Sequence, residues 1–346
     1  MKMWKKASSA MVSTCTGGKR FFFSKVALVL IFGVVVARVL AESPDQWYRD
    51  GRDAVARARQ LEPITGKAKN VILFLGDGMS VTTVAAARIL EGQQRGQTGE
   101  ENLLRFEKLP YTALIKTYNT DAQTPDSAGT MTAIVTGVKT RAGFLSVNQN
   151  AVRGDYASTK GNEAATILEL AEKAGLSTGV VTTTRITHAT PAACYAHSPD
   201  REWEDDSLLP EAAKQAGFPD IARQLVEFSL GDGLEVALGG GRANFLPKSA
   251  TDPEYEGQTG RRADGRDLTA VWSKKADSAF VWNKAQFNAI DPAKTRHLLG
   301  LFEPSHVRYE HDRAGDKAGE PSLSEMTAKA IDILAKNDQG FFLMVE

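Results

Sequence analysis

At 346 residues the chain is long enough for one large α/β domain or two ordinary ones, and its 42% hydrophobic content is that of a globular protein. Lys plus Arg number 42, as do Asp plus Glu, but residues 1–41 carry seven of the basic residues and no acidic one, which leaves 35 against 42 in the remainder. An acidic remainder excludes nucleic acid as a specific ligand and an anionic membrane as a partner held by overall charge, so any phosphate recognition must be local.

In the N-terminal stretch Lys2, Lys5, Lys6, Lys19, Arg20 and Lys25 precede the apolar run 26–37, and Val39-Leu40-Ala41 supplies small residues at the spacing of a cleavage site. That run is short for a bilayer span. It predicts a secretory signal peptide over 1–41, with an uncleaved anchor as the alternative, and places the mature chain outside the cytoplasm. Cys15 falls within it, so Cys194 is left without an intrachain disulfide partner, and no Asn-x-Ser/Thr acceptor occurs.

Asp45 to Leu61 has helical apolar spacing and predicts a surface helix. Val71 to Leu75 is a continuous apolar run ending in Gly76-Asp77-Gly78, as expected of a covered parallel strand that delivers one carboxylate to a turn. The alternative for Asp77 is an ordinary Asp-Gly turn. Val81 to Leu90 is a helix by propensity, and Tyr111 to Tyr118, alternating with threonines, reads as a second strand. Asp126-Ser127-Ala128-Gly129-Thr130 opens a helix running to about Val135, which puts Ser127 at an N-terminus that favours an anion. An N-cap serine is the simpler alternative, but tiny residues at 128 and 129 suit a bulky ligand.

Asn162 to Ala174 predicts a helix closed by Gly175, and Ser177 to Thr183 a strand. The next stretch, 184–203, reads as a polar loop holding His188, Thr190, His197 and Arg201. Pro219 to Phe228 and Leu234 to Leu238 give a further helix and strand, and residues 242–296 an irregular excursion from the core. His297 to Phe302 is a strand, Ser322 to Lys336 a helix with a Ser322/Glu325 capping box, and Phe341 to Val345 a strand ending on Glu346. The alternation specifies an α/β fold with a doubly wound, mostly parallel sheet in one domain over 42–346.

A carboxylate after the first strand, a serine at a helix N-terminus, a loop hydroxyl, an arginine and a carboxylate after the last strand converge only at the carboxyl edge of one sheet. Two carboxylates and a hydroxyl suit Mg²⁺, and arginine matches phosphate oxygens. Serine needs a base or a metal to ionise it, and no Gly-x-Ser-x-Gly motif is present.

LFLGDGMS, KTYNTDAQTPDSAGT, TGVKT, VTTTRITHATPAACYAHSPDREW, GGGR, LLGLFEP, PSLSEM and GFFLMVE resemble segments of the alkaline phosphatases, most closely the animal-type branch, from about residue 45 onward. The resemblance implies hydrolysis of phosphate monoesters, with Ser127 as the nucleophile that becomes phosphoserine and Arg201 as the clamp on the phosphate. It implies two zinc ions and one magnesium: Asp77 bridges a zinc and the magnesium, Ser127 meets zinc, Thr190 and Glu346 complete the magnesium ligands, and His188 lies in the outer shell. It also implies a calcium site from Glu254, the Phe302 carbonyl and Glu303, whose fourth position, an aspartate in the usual pattern, falls on Glu320. Family members are commonly homodimers embraced by an N-terminal helix, a role open to Asp45 to Leu61. Thr124 and Met131 depart from the usual residues beside the nucleophile. The Asp-x-x-x-His motif, the Asp-His pair and the final His that supply most zinc ligands in the family come after the glutamate matched by Glu346, so the reading is of an N-terminal portion. The alternative is a zinc-deficient, inactive secreted protein that binds phosphate and magnesium. A phosphodiesterase or sulfatase is disfavoured by Asp-Ser-Ala at 126–128.

Overall fold

The computed structural model describes residues 43–346; the signal peptide expected over 1–41 and its expected cleavage site after Ala41 lie outside the described residues. The chain divides into two units that meet at Ile64 and Thr65. In the first, Pro44–Arg59 is a helix with no buried residue. The Ser43 hydroxyl accepts from the Gln46 amide, proline opens the first turn and Arg57 and Arg59 close the last, each favourable at its end of the helix dipole. No helix among the described residues is long and apolar enough to cross a membrane.

The second unit is built on six parallel strands: β1 Val71–Phe74, β2 Ser177–Arg185, β3 Val236–Gly240, β4 Ser278–Val281, β5 His297–Leu301 and β6 Phe341–Val345. Their spatial order is β1-β6-β2-β3-β5-β4. The strand latest in sequence therefore lies between β1 and β2, with Phe74 and Val181 both opposite Val345. All five residues of β6 are buried. Its alternate side chains feed two cores: Phe342 and Met344 one, Phe341, Leu343 and Val345 the other. This is the burial on both faces expected of a strand that reads as an unbroken apolar run.

Helices cover both faces. Leu323–Leu334, capped by the Ser322/Glu325 box, packs Met326, Ala330, Ile333 and Leu334 into the core that holds Leu343. The other core takes residues from Ser127–Thr136, Ile167–Lys173, Ala189–Tyr195, Ile221–Val226 and Leu268–Trp272. Met131, which departs from the residue expected near Ser127, is a buried member of that core.

Four stretches depart from the sequence reading. Tyr111 to Tyr118 is not a strand: Leu114 and Ile115 are exposed, and the Lys139 ammonium takes the carbonyls of Lys116 (3.0 Å) and Tyr118 (2.7 Å) that a ladder would use. Alternation alone does not make a strand without a partner. The helix expected from Asn162 starts at Ile167, because Thr166 and Glu169 form a capping box there. The stretch 184–203 is no open loop; Ala189–Tyr195 is a helix with every residue buried, its alanines and Cys194 small enough to pack closely. The excursion expected over 242–296 is irregular up to Asp267, then returns a helix, Leu268–Trp272, and the edge strand β4 to the sheet.

Truncating the fully buried Leu343 removes contacts of the central strand. Leu343→Ala is expected to lower unfolding stability by about 2–5 kcal/mol in urea titration, and a loss below about 1 kcal/mol contradicts the placement of β6 inside the sheet.

Candidate active site

Parallel strands end at the same edge, so β1 and β6 deliver the residues at their carboxyl ends to one place. The Leu75 amide donates to the Val345 carbonyl at 2.8 Å, tying the start of the Gly76-Asp77-Gly78 turn to the end of β6. Gly78 sits at φ +64°, where a side chain would be strained. Ser80 then caps the next helix, Val81–Gln94. Asp77 is thus the exposed tip of a strand-turn-helix unit, and Glu346 comes directly after β6.

Ser127 is the first residue of its helix; the cap is Asp126, whose Oδ1 accepts from the Gly129 amide at 3.0 Å. The Ser127 Oγ donates to Asp77 Oδ2 at 2.5 Å across 50 residues of sequence. Gly129 is small for a packing reason: a Cβ there would lie 2.7 Å from Asn119 Oδ1 and 2.8 Å from the Arg141 carbonyl. The room for a ligand expected at that glycine is filled by protein.

Asp126 organises more than the cap. Its carboxylate also accepts from Asn119 Nδ2 (2.9 Å), the Gly143 amide (2.9 Å) and Arg201 Nη1 (3.1 Å). Burial works to raise its pKa, and the hydrogen bonds from Gly129, Arg201, Asn119 and Gly143 outweigh this and hold it below the ordinary carboxylate value. One side chain therefore fixes both the serine's helix and the arginine, and nothing in the sequence marks it beyond its place before Ser127. Arg201 is held on its other arm by His188 Nε2 at 3.0 Å. Burial first, then the charges of Arg201 and Arg185, push the His188 pKa down to about 4, so its ring is neutral and Nε2 accepts. His188 Nδ1 is buried without a hydrogen bond. His197 belongs elsewhere: its ring spans Glu169 (2.9 Å) and the Ser146 carbonyl (2.7 Å).

Glu346 is buried, and its Oε2 accepts from Thr182 (2.6 Å) and Thr184 (3.2 Å). Burial raises its pKa; the Thr182 and Thr190 hydroxyls act against this, and the Asp77 charge raises it further. Its Oε1 is enclosed without a hydrogen bond of good geometry. A buried carboxylate oxygen left bare beside a second carboxylate is costly unless a cation joins them. Asp77, Thr190 and Glu346, all hard oxygen donors, fit magnesium. The zinc set does not fit on these residues: among the described residues no cluster of three or more His, Cys, Asp or Glu side chains includes Asp77, and tetrahedral zinc sites use at least three protein ligands.

A second acidic group lies apart. Ligand oxygens of Glu254, Glu303 and Asp316 all come within 4.8 Å of one another. Both Asp316 oxygens are buried without a hydrogen bond of good geometry, Oδ1 lying 3.3 Å from Arg308 Nε. No sequence motif marks Asp316. Glu320 lies alongside, its Oε1 accepting from the Arg308 amide at 2.9 Å and its Oε2 bare. Burial, then the charges of Glu303 and Asp316, push the Glu320 pKa up to about 7. Phe302, just before Glu303, is itself in the core.

The architecture is that of a doubly wound α/β protein with a hydroxyl, two carboxylates and an arginine at the carboxyl edge of its sheet. The family model described as alkaline phosphatase matches residues 68–346, and the chain belongs to that family. It is 48% identical over 310 residues to an alkaline phosphatase of Gadus morhua, spanning 88% of this chain and 64% of the relative. It is 46% identical to the tissue-nonspecific isozyme of Homo sapiens, spanning 92% of this chain and 62% of the relative. The chain thus spans somewhat less than two thirds of the length of these relatives. Among solved structures, the alkaline phosphatase of Thermus thermophilus superposes with a TM-score of 0.61 at 32% identity, covering 82% of this chain and 50% of that one. That of a psychrophilic Shewanella gives 0.58 at 27%, covering 80% and 56%.

Replacing the cap at Asp126 is expected to cost about 1 kcal/mol in the Asp126→Ala protein. Because the folded pKa is depressed, the ionised carboxylate's contribution is complete above the unfolded value near 4 and is lost as pH falls through the folded value. The stability gap between the native protein and Asp126→Asn, measured by denaturant titration, should be widest at pH 7 and shrink towards pH 3. A gap independent of pH contradicts the assignment.

Proposed function

We propose that the chain carries the phosphoryl-transfer half of a phosphate monoester hydrolase, with Ser127 as nucleophile. The observation that carries this reading is the 2.5 Å hydrogen bond from Ser127 Oγ to Asp77 at a helix N-terminus. By accepting the hydroxyl hydrogen, Asp77 Oδ2 leaves the lone pairs of Oγ free to face phosphorus. The free N-H groups of the first turn, and the guanidinium of Arg201, favour the anionic ester there. Arg201 keeps its fork aligned because Asp126 and His188 hold it on two sides. Serine attack forms phosphoserine and releases the alcohol; water then displaces Ser127 from phosphorus and phosphate leaves.

Asp77, Thr190 and Glu346 would hold magnesium, which when bound supplies the charge that neutralises the two carboxylates and the developing anion. Zinc activation of Ser127 rests on the family resemblance, not on a complete ligand set on these residues. Calcium is assigned to the Glu254, Phe302, Glu303 and Glu320 neighbourhood, with Asp316 as a further ligand. The N-terminal basic and apolar stretch supports export, and the solvent-exposed helix Pro44–Arg59 is the element we assign to a homodimer contact. A second reading is that of a protein that binds phosphate and magnesium without turnover.

The test is hydrolysis of p-nitrophenyl phosphate at alkaline pH with zinc and magnesium. Ser127→Ala is expected to lower turnover by at least ~10³-fold, and equal rates in the two proteins would sink the mechanism. Calorimetry with inorganic phosphate separates the readings: Arg201→Ala should weaken binding by about tenfold or more, and native binding without any turnover selects the second.

A further inference from the structure

The opposite edge of the sheet, where the strands begin, holds a cluster that the hydrolytic reading does not use. Glu172 is on the helix before β2, Asp232 lies in the loop after Ile221–Val226, and Glu235 immediately precedes β3. One carboxylate oxygen from each lies within 4.8 Å of the others. Glu172 and Glu235 are only 2% and 3% exposed, whereas Asp232 is exposed.

The two buried carboxylates are fixed from the strands. Glu235 Oε1 accepts from the Ser177 hydroxyl at 2.9 Å and Oε2 from the Thr178 amide at 2.7 Å. Glu172 Oε1 accepts from the Thr178 hydroxyl. Glu172 Oε2, in contrast, is enclosed without a hydrogen bond of good geometry, the Gly233 amide and the Lys275 ammonium acting on the carboxylate only from less favourable positions. The loop passes directly over it: a Cβ on Gly231, at φ +57°, would lie 2.3 Å from that oxygen. The Gly233 amide of the same loop is engaged by the Leu230 carbonyl at 3.0 Å. Nor does the nearby ammonium satisfy it. Lys275 Nζ stands 4.2 Å from the centre of the Trp272 ring and makes no hydrogen bond. Arg296 pairs with Asp232 at the outer side. A cavity of about 330 Å³ lined by Gly231, Asp232, Lys275, Arg296 and His297 lies on the Asp232 side of the group.

Three carboxylates face two cationic side chains, Lys275 and Arg296, and one buried oxygen is left without a hydrogen bond, which favours a cation in direct contact. The oxygens are hard and anionic, the donor type that calcium takes. We propose that Glu172, Asp232 and Glu235 form a calcium site at the amino edge of the sheet, separate from the acidic group at Glu254, Glu303 and Asp316. Ser177 and Thr178 orient two of its ligands, and an ion there ties the helix Ile167–Lys173 to the loop at 229–233 and to the start of β3.

The test is calorimetric titration of calcium alone into metal-free protein, in the native form and as Glu172→Gln and Glu303→Gln, each variant keeping the side-chain shape. Glu172→Gln is expected to lose one calcium equivalent, or to weaken it about 100-fold, and Glu303→Gln to retain that equivalent. Identical titrations of the native and Glu172→Gln proteins overturn the proposal. A crystal of the native protein soaked in manganese decides independently of how the variants fold. An anomalous peak between Glu172, Asp232 and Glu235 supports the site, and an empty position there overturns it.

Discussion

The insertion of β6 between β1 and β2 is the constraint on which the rest of the structure depends. Parallel pairing sends the ends of adjacent strands to one edge, and the shared register at Val345 sets their levels. Asp77 and Glu346, 269 positions apart in sequence, therefore emerge side by side. The insertion holds because every residue of β6 is apolar and buried on one face or the other. A polar side chain at any of those five positions would have to find a hydrogen-bond partner between two packed layers.

Once two carboxylates are brought together, electrostatics dictates what else the edge must hold. Thr182 and Thr184 satisfy one oxygen of Glu346, and the other is left bare towards the site. Asp126 solves the complementary problem of keeping a cation in place. Four donors converge on its carboxylate, one of them the guanidinium of Arg201. The neutral His188 ring takes the other arm, and the exposed Glu202 carboxylate lies 3.5 Å from Arg201 Nε. In the proposed reading, the bare oxygens and the fixed guanidinium are the two halves of a site for a cation and a phosphoryl group.

Much of this is legible in the sequence where the signal is local. The unbroken runs at Val71 to Leu75 and Phe341 to Val345 mark covered strands, Gly-Asp-Gly marks the turn, and Ser322 with Glu325 marks a helix start. What escapes depends on partners. Tyr111 to Tyr118 has the alternation of a strand but no ladder, and its carbonyls go to Lys139. The polar-looking stretch around Thr190 hides a helix because alanines pack where larger residues could not. Asp126 can be read as a cap from its position, but its hold on Arg201 across 75 residues cannot. Asp316 is hidden for the same reason, since only the fold carries it to Glu254 and Glu303.

The central claim, that the carboxyl edge is built for one cation beside one phosphoryl group, is tested most directly by a crystal structure with magnesium and inorganic phosphate bound. The account predicts a single ion with oxygens of Asp77, Thr190 and Glu346 at roughly 2.0–2.1 Å, and a phosphate taking hydrogen bonds from both donor groups of the site, the first turn at Ser127 and the Arg201 guanidinium. An ion that leaves Glu346 Oε1 bare, or a phosphate bound away from Ser127 and Arg201, would contradict it.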